Sequence, residues 1–248
     1  MYQTAKSLPL LTFFSLYDIL RYKTKGTKAM KRFLALLLAA VMLISFTACK
    51  SEDGEKGKNT DKADKTPVFS ENAVKDNTYE NKSTGISCTL GTGWTFCSGE
   101  ELRTLNGVSS SMSEKDFADY LGKIKHVTEM YAEHVNGTDT VSLTYERLGK
   151  DGAAEYDVSK VYESSRTIFE SSYATLGYKD VKSEIVDVTV DGTETKALRM
   201  SSVESTYGAN VYLLLVCGEK DGYAWQISIT TFKEDTTKNV LEGFKFEK

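Results

Sequence analysis

The chain has 248 residues, and its 31 lysines and arginines against 35 acidic residues give a formal net charge of -4 and a sequence pI near 5.4. Phosphate backbones are bound by basic surfaces, so this mildly acidic balance argues against nucleic acid as a partner. The length suits one folded domain with a tether.

An export signal lies well inside the written N-terminus, at residues 30–48. Lys31 and Arg32 precede an uninterrupted, mostly apolar run, and small residues then lead into Cys49. This is the order of a bacterial secretory signal, and the run is short for a membrane-spanning helix. Because that signal is complete by itself, residues 1–29 are interpreted as a mis-assigned N-terminal extension.

The end of this signal, Phe46–Cys49, resembles the lipobox of bacterial lipoproteins, which are lipidated on the cysteine and cut just before it. The resemblance implies that Cys49 is the lipidation site and the first mature residue. Its acyl chains would then hold the protein at the extracytoplasmic face of the cell membrane, with roughly 0.8 kcal/mol for each buried methylene. A plain transmembrane anchor is the alternative.

Residues 49–78 are predicted to be the lipidated cysteine followed by a flexible, charged tether. Between Lys50 and Thr66 ten of seventeen residues are charged, and no aliphatic side chain is larger than alanine. Such a segment cannot bury enough apolar surface to offset the entropy lost on ordering it. The tether would hold the folded domain, residues 79–248, off the membrane.

The first predicted elements of the domain are a strand and two short helices. Residues 86–90 alternate between apolar and polar side chains, which predicts a strand that ends in a turn over Gly91–Gly93. A helix is expected from Glu100 to Leu105, and Ser113 is expected to cap a second helix.

Antiparallel hairpins and one long helix follow. Asn136-Gly137 lies between two strand-like segments and predicts a hairpin, and Asp191-Gly192 and Asp221-Gly222 predict two further turns. Asp157 is expected to cap the longest helix, whose single apolar stripe ends at Gly177 and should cover a sheet.

The C-terminal part completes the predicted fold. Val211–Cys217 is apolar on both faces, which is typical of a central strand covered on each side. Asp235 is expected to cap a terminal helix that contributes Val240, Leu241 and Phe244. The order of these elements predicts an α+β fold, with a single twisted antiparallel sheet flanked by helices.

Three cysteines remain besides Cys49, an odd number without the spacing of a metal site. Cys88 and Cys97 could meet across the glycine turn. Buried free thiols that act as small hydrophobic side chains explain these residues better, and the same holds for Cys217.

The two histidines, His126 and His134, are eight residues apart and would share one strand face, whereas Glu129 has the opposite parity to both. Without clustered carboxylates or thiolates they are a poor metal ligand set, and surface histidines are the better account. No metal ion and no cofactor is therefore predicted.

No catalytic motif is evident. Ser109–Ser111 lacks the flanking glycines of a hydrolase nucleophile elbow. The acidic pairs Glu100 with Glu101 and Glu184 with Asp187 are the usual background of a charged surface, unless a cleft brings two acids together. No catalytic residue is predicted.

Several short sequences carry a family resemblance: Tyr79-Glu80-Asn81, Gly85-Ile86-Ser87-Cys88, Gly93-Trp94, Glu101-Leu102, and the Tyr212–Cys217 strand with its Tyr223-Ala224-Trp225 return. Together they resemble lipoproteins of Gram-positive gut anaerobes, which are similar in turn to PsbP-like domains. The resemblance implies an antiparallel sheet between helical layers and a binding or assembly role, without a transferable catalytic residue. Trp94 and Trp225 are expected in the core.

The sequence therefore predicts a non-enzymatic, lipid-anchored binding or assembly module. Its expected partners are the membrane, through Cys49, and another envelope protein or a small ligand. A cell-envelope hydrolase whose acids meet only in three dimensions is one alternative, and a solute-binding lipoprotein is another.

Overall fold

In the computed structural model, the described residues are 74–108, 112–121, 124 and 126–247. The predicted N-terminal extension, the signal peptide and Cys49 lie outside them, as does Ser109–Ser111. The first described strand begins at Val74, within the segment predicted as tether, so strand structure begins upstream of Tyr79.

The described part of the chain consists of eleven strands and five helices. The strands are β1 (Val74–Lys75), β2 (Thr78–Asn81), β3 (Ile86–Thr89), β4 (Trp94–Phe96), β5 (His126–His134), β6 (Thr140–Arg147), β7 (Lys179–Val190), β8 (Thr193–Val203), β9 (Asn210–Lys220), β10 (Tyr223–Phe232) and β11 (Phe244–Phe246). The helices are α1 (Gly99–Leu105), α2 (Glu114–Leu121), α3 (Gly149–Glu155), α4 (Val158–Thr175) and α5 (Thr237–Leu241).

The strands form two antiparallel sheets. The large sheet has seven strands in the order β4-β5-β6-β10-β9-β8-β7, and the small sheet has four in the order β1-β2-β3-β11. The antiparallel α+β prediction is confirmed, but the prediction of a single sheet is wrong. Phe244, expected on the terminal helix, begins β11 and pairs with Cys88 of β3. Pairing between such distant segments leaves no local pattern in the sequence.

The glycine turns predicted from the sequence are present. Asn136-Gly137 lies between β5 and β6, Asp191-Gly192 joins β7 to β8, and Asp221-Gly222 joins β9 to β10. Both residues of the last two turns have positive φ, the conformation that matches a two-residue turn to the twist of its strands.

Local signals also define the helix ends. A capping box between Ser98 and Glu101 begins α1. The Asp157 carboxylate accepts hydrogen bonds from two N–H groups in the first turn of α4, as predicted, and Gly177 follows its end with φ of 85°. Asp235 accepts hydrogen bonds from the N–H and the hydroxyl of Thr237 at the start of α5, but the N-cap residue is Thr236, one position after the predicted cap. The short helix α3 was not predicted.

Strand β9 separates two apolar clusters. Leu214 and Val216 belong to a cluster between the two sheets, to which α2 and α5 contribute, whereas Leu213 and Leu215 belong to a cluster under α4. All four side chains are at most 1% exposed. The prediction of a central strand covered on both faces is confirmed.

A single side chain joins α4 to two strands. The Tyr162 hydroxyl donates to the carbonyl of Lys196 on β8 at 2.7 Å and accepts from the N–H of Cys217 on β9 at 3.1 Å. These two backbone groups lie beyond Leu198 and Leu215, the last pair on this side of the β8–β9 ladder. Tyr162 therefore bridges the strands where their own pairing ends.

Candidate binding site

A β-bulge in β5 changes the predicted arrangement of the histidines. The pairing with β6 shifts at Glu129, so the alternation of side chains is inverted beyond it. The Nδ1 atom of His126 lies 3.9 Å from the carboxylate of Glu146 on one face of the sheet. His134 packs edge-on against Trp94, which contacts the cluster on the other face. The expectation that both histidines share a face is wrong.

The predicted acidic pairs lie in ordinary surface contacts. Glu101 completes the cap of α1, while Glu184 accepts from Arg199 and Asp187 pairs with Lys196. Within the described ranges, no three His, Cys, Asp or Glu side chains come together in a group that could hold a metal ion.

The cysteines and tryptophans lie in or against the apolar clusters, or beside the large sheet. No disulfide joins Cys88 of the small sheet to Cys97, which follows β4 of the large sheet. Burial raises the pKa of the Cys88 thiol to about 12 and raises that of Cys217 strongly as well, the opposite of what a cysteine nucleophile requires. Trp94 and Trp225 are half-buried and pack against the cluster between the sheets.

One face of the large sheet carries a strip of polar side chains along β6 and β10. Alternate residues of these strands, such as Leu143 and Ile227, belong to the cluster between the sheets, so the residues between them point to the opposite face. The polar strip consists of Ser142, Thr144, Glu146, Gln226, Ser228 and Thr230. In the pairing of the two strands, Ser142 lies opposite Ser228 and Thr144 opposite Gln226.

The polar strip is buried, although the polar face of an alternating antiparallel strand usually meets solvent. Its six side chains are at most 7% exposed. Three of its atoms have no hydrogen-bond partner in the described structure, namely Thr144 Oγ1, Gln226 Oε1 and Thr230 Oγ1. The Nε2 atom of Gln226 donates to Ser228 at 2.9 Å, which leaves the amide oxygen as the open acceptor.

The surroundings of the polar strip differ on its two sides. On β9, Leu213 and Leu215 point to the same face and pack under α4. On β5, Tyr131 and His126 lie opposite residues of the strip. Burial raises the pKa of the Tyr131 phenol above its usual range, so this hydroxyl stays protonated. The strip is therefore bordered by an apolar wall on one side and by hydrogen-bonding side chains on the other.

A second buried acid, Glu129, lies on the opposite face, between the sheets. It accepts a hydrogen bond from the side-chain amide of Asn81 on β2. Burial raises the pKa of Glu129 to about 7, while the hydrogen bond from Asn81 and the nearby Tyr79 hydroxyl work in the other direction. Burial, and then the charge of Glu129, raise the pKa of Tyr79 and Tyr145. These contacts tie the small sheet to β5, so this cluster serves as a structural link.

Sequence reasoning missed both buried polar groups. The polar positions of β6 and β10 follow a clear alternation, but the alternation alone predicts a solvent-facing surface. Glu129 is placed by the bulge, and no residue of β5 marks a bulge in advance. A signal for the polar strip did exist, because two strands with the same alternation, once paired, align their polar residues.

Comparison with known proteins leaves the family open. No family model matches the chain, and no curated protein matches its sequence. The chain is similar to the crystal structure of LpqN from Mycobacterium tuberculosis, described as involved in cell envelope biogenesis. The identity is 13%, the match covers 66% of this chain and 83% of LpqN, and the TM-score is 0.37. A likeness this distant establishes neither the PsbP-like fold nor a function.

The described helices are also informative about membrane insertion. None of those in the described ranges is both long and apolar enough to cross a bilayer.

Proposed function

We propose that this chain is a lipid-anchored, non-catalytic binding module at the extracytoplasmic face of the cell membrane, with the polar strip as its ligand site. The observation that carries the proposal is the burial of Thr144 Oγ1, Gln226 Oε1 and Thr230 Oγ1 without hydrogen-bond partners.

The energetics of these atoms favour a binding role over a packing role. A buried hydrogen-bonding atom without a partner costs roughly 1–3 kcal/mol, whereas an apolar side chain of the same shape at that position costs nothing of this kind. Valine in place of Thr144 would serve stability better. Polar atoms in this situation are normally satisfied by bound water or by a ligand. A ligand that displaces such water and bonds these atoms would recover the cost.

The chemistry around the strip supports binding without catalysis. The thiol of Cys217, beside the strip, has a raised pKa and is protonated at neutral pH. The Nδ1 atom of His126 lies 3.9 Å from the carboxylate of Glu146, which belongs to the strip. The strip thus offers hydrogen-bond donors and acceptors, while an activated cysteine is not among its neighbours in the described structure.

The anchor rests on the sequence. The signal at residues 30–48, followed by Cys49 and a charged tether, would place the domain outside the cell and a short distance from the bilayer. The resemblance to PsbP-like lipoproteins adds support, since such domains act mostly in binding or assembly.

Ligand binding is tested by thermal unfolding of the lipoprotein in detergent against a library of sugars, peptides, nucleotides and small metabolites. A ligand of the strip raises the melting temperature of the native protein. It should do the same for the control Thr189→Val, an exposed position on β7, but much less for Thr144→Val or Gln226→Leu. A library without a hit, or hits that stabilise all variants equally, would contradict the assignment.

The anchor is tested separately in cells. Cys49→Ser should abolish labelling by a fatty-acid analogue and release the protein from membranes, whereas the control Cys97→Ser should retain both properties. Unchanged labelling of Cys49→Ser would rule the lipid anchor out.

A further inference from the structure

We infer that one end of the large sheet rests on the lipid bilayer, with exposed apolar side chains of its loops in the headgroup region. This is the end at which β6, β7 and β9 begin, and it is called the apolar end below, after Val135, Leu176 and Tyr207. Lipidation of Cys49, which belongs to the proposed function, would bring the bilayer to the domain. The new element is the part of the domain that meets it.

Most of the exposed apolar side chains lie at this end. The described structure exposes four large ones, and three of these belong to the apolar end. Val135 lies in the turn between β5 and β6, and Tyr207 lies in the loop between β8 and β9. Leu176 follows α4, and the hydroxyl of Ser205 in the Tyr207 loop donates to the carbonyl of Gly177. Strand pairing places all of these together, through Thr140 with Thr230, Phe232 with Val211, and Val203 with Asn210 and Lys179.

The opposite end of the same sheet is polar. Its hairpin turns are Asp191-Gly192 and Asp221-Gly222, and none of the four exposed apolar side chains lies there. The fourth, Ile185, is on the edge strand β7 opposite Leu198, midway between the two ends. Single exposed apolar residues are common on soluble proteins, but a random distribution would not favour one end of the sheet.

Hydrogen bonds hold the two exposed loops in one conformation. The Glu204 carboxylate accepts from two backbone N–H groups of its own loop, each at 2.8 Å, and Tyr207 in that loop is 72% exposed. The Oδ1 atom of Asn136 accepts from two N–H groups of its turn, each at 3.0 Å, and the neighbouring Val135 is 83% exposed. Loops that are already ordered lose little conformational freedom when they meet a partner.

The spacing and chemistry of these side chains suit a bilayer better than a protein partner. The β5–β6 turn and the β8–β9 loop are three strand spacings apart, on the order of 15 Å. A protein partner normally covers one continuous patch, whereas a fluid bilayer can receive separate side chains. The ring and hydroxyl of Tyr207 match the boundary between acyl chains and headgroups, and Val135 and Leu176 are aliphatic.

Charge contributes little to this contact. Lys179 and Lys233 are exposed at the apolar end, but so are Asp180 and Glu234. Because the two signs are balanced, attraction to anionic lipids is weak, and burial of apolar side chains provides the contact. Contact of this kind should be insensitive to salt.

The predicted tether brings the bilayer within reach of the domain. Residues 50–73 separate Cys49 from Val74, the first residue of β1. A flexible chain of this length spans about 25–30 Å on average. The sheet is about 36 Å long, because β8 and β9 have eleven residues each. The anchor makes the contact intramolecular, so a few apolar side chains are enough to select one end.

The chain carries a natural reporter near each end. Of its two tryptophans, Trp94 pairs with His134 at the end of β5, beside the apolar end. Trp225 pairs with Gly218, close to the Asp221-Gly222 turn at the polar end. Both side chains are half-buried, and they are about 20 Å apart along the strands. A short-range quencher in the bilayer therefore distinguishes which end is docked.

The test is fluorescence quenching of the mature lipoprotein in vesicles of phosphatidylcholine and phosphatidylglycerol that contain headgroup spin-labelled lipid. Flotation verifies that the protein is bound to the vesicles. Trp225→Phe leaves Trp94 as the reporter, and Trp94→Phe leaves Trp225. We expect Trp94 to be quenched at least twice as strongly as Trp225, at low and at high salt alike.

Substitutions at the apolar end provide the second part of the test. In the Trp225→Phe background, Val135→Ser combined with Tyr207→Ser should lower the quenching of Trp94 at least twofold. The control Ile185→Ser, at the exposed apolar position away from this end, should leave it unchanged. Circular dichroism of each variant verifies that it is folded.

The contrary outcomes are distinct. Equal quenching of both tryptophans, stronger quenching of Trp225, or quenching that the double substitution does not change would overturn the inference. If the double substitution instead converts a dimer in detergent to a monomer without changing the quenching, the apolar end contacts a second copy of the chain. A protein that floats with vesicles while neither tryptophan is quenched retains the anchor but has no docked end. A protein that does not float refutes the anchor of the proposed function, and this inference with it.

Discussion

The two halves of one sheet face differ in the polarity of their buried side chains. Under α4, the residues of β8 and β9 on this face are mainly apolar, and they join the helix in a closed cluster. Beside them, the same face of β10 and β6 consists of the polar strip, which is equally buried. Buried hydrogen-bonding atoms without a partner in the described structure occur on both sides, at Tyr173 and Ser202 under α4 and at three residues of the strip. Burial alone therefore does not mark a core.

The comparison teaches what a buried position contributes. On the α4 side, removal from water stabilises the fold because most of the buried atoms are apolar and fill space against one another. On the strip side, the same removal from water destabilises it, because hydroxyl and amide groups lose their solvent partners. Substitutions in the two halves should therefore change stability in opposite directions.

The largest expected effect is on the α4 side. Phe169 is fully buried between α4 and the sheet, so Phe169→Ala should lower the free energy of unfolding by about 3–5 kcal/mol. Urea unfolding measures the change. Leu176→Ala, at the exposed end of the same helix, is the control. It should lower the free energy of unfolding by less than about 1 kcal/mol, because substitutions at surface positions change stability little. Equal losses in both variants would mean that the cluster does not hold α4.

The next effect concerns the other face, where burial raises the pKa of Glu129 in the folded state. Its pKa is about 7 when folded against 4.5 for the ordinary group, so the folded protein binds more protons between these two pH values. Stability from this group is therefore greatest below about pH 4.5 and falls as the pH rises through 7, by about 3 kcal/mol in all.

The variant Glu129→Gln tests this sign. It should unfold with a flatter pH dependence and gain stability relative to the native chain as the pH rises from 4.5 to 8, because an amide has no proton to lose. The exposed substitution Glu80→Gln on β2 should leave the pH profile unchanged. A native profile that rises with pH in this window and is the same in Glu129→Gln would show that Glu129 is ionised when folded.

A smaller effect is expected at the boundary of the α4 cluster. Tyr162→Phe removes a hydroxyl that bonds two backbone groups, one on β8 and one on β9, and should cost about 1–3 kcal/mol. Tyr173→Phe is the matched control on the same helix, because the buried hydroxyl of Tyr173 has no partner in the described structure. Thermal unfolding should show a lower melting temperature for Tyr162→Phe alone. A similar decrease in both variants would contradict the bridging role of the Tyr162 hydroxyl.

The smallest effect, and the one of opposite sign, lies in the polar strip. Thr144→Val replaces an unpartnered hydroxyl with a methyl group of similar size and should stabilise the ligand-free protein by up to about 1 kcal/mol. Thr189→Val, on the exposed face of β7, gives the baseline for the same exchange. A clear loss of stability at Thr144 would show that its hydroxyl is well bonded and that the strip is part of the core.

The sequence was most informative where structure depends on neighbours along the chain. The turn at Asp221-Gly222 and the cap at Asp157 are decided by the conformations that a few adjacent residues prefer, and both predictions are confirmed. The apolar run of Val211–Cys217 likewise indicated a strand covered on both faces. The candidate site was not predicted, because the alternation along β6 and β10 is by itself typical of strands with one face toward solvent.

The sequence by itself determined the hairpin turns, the cap of α4 at Asp157 and the central strand, since each depends on local conformational preference or on periodicity within one segment. The lipid anchor at Cys49 stays a prediction of the same local kind. Only the tertiary structure decided that Phe244 pairs with Cys88 in a second sheet, that Glu129 turns inward at a bulge, and that the polar residues of β6 and β10 meet in a buried strip. These features depend on which distant segments pair and on what lies above them, and no local pattern in the chain encodes either.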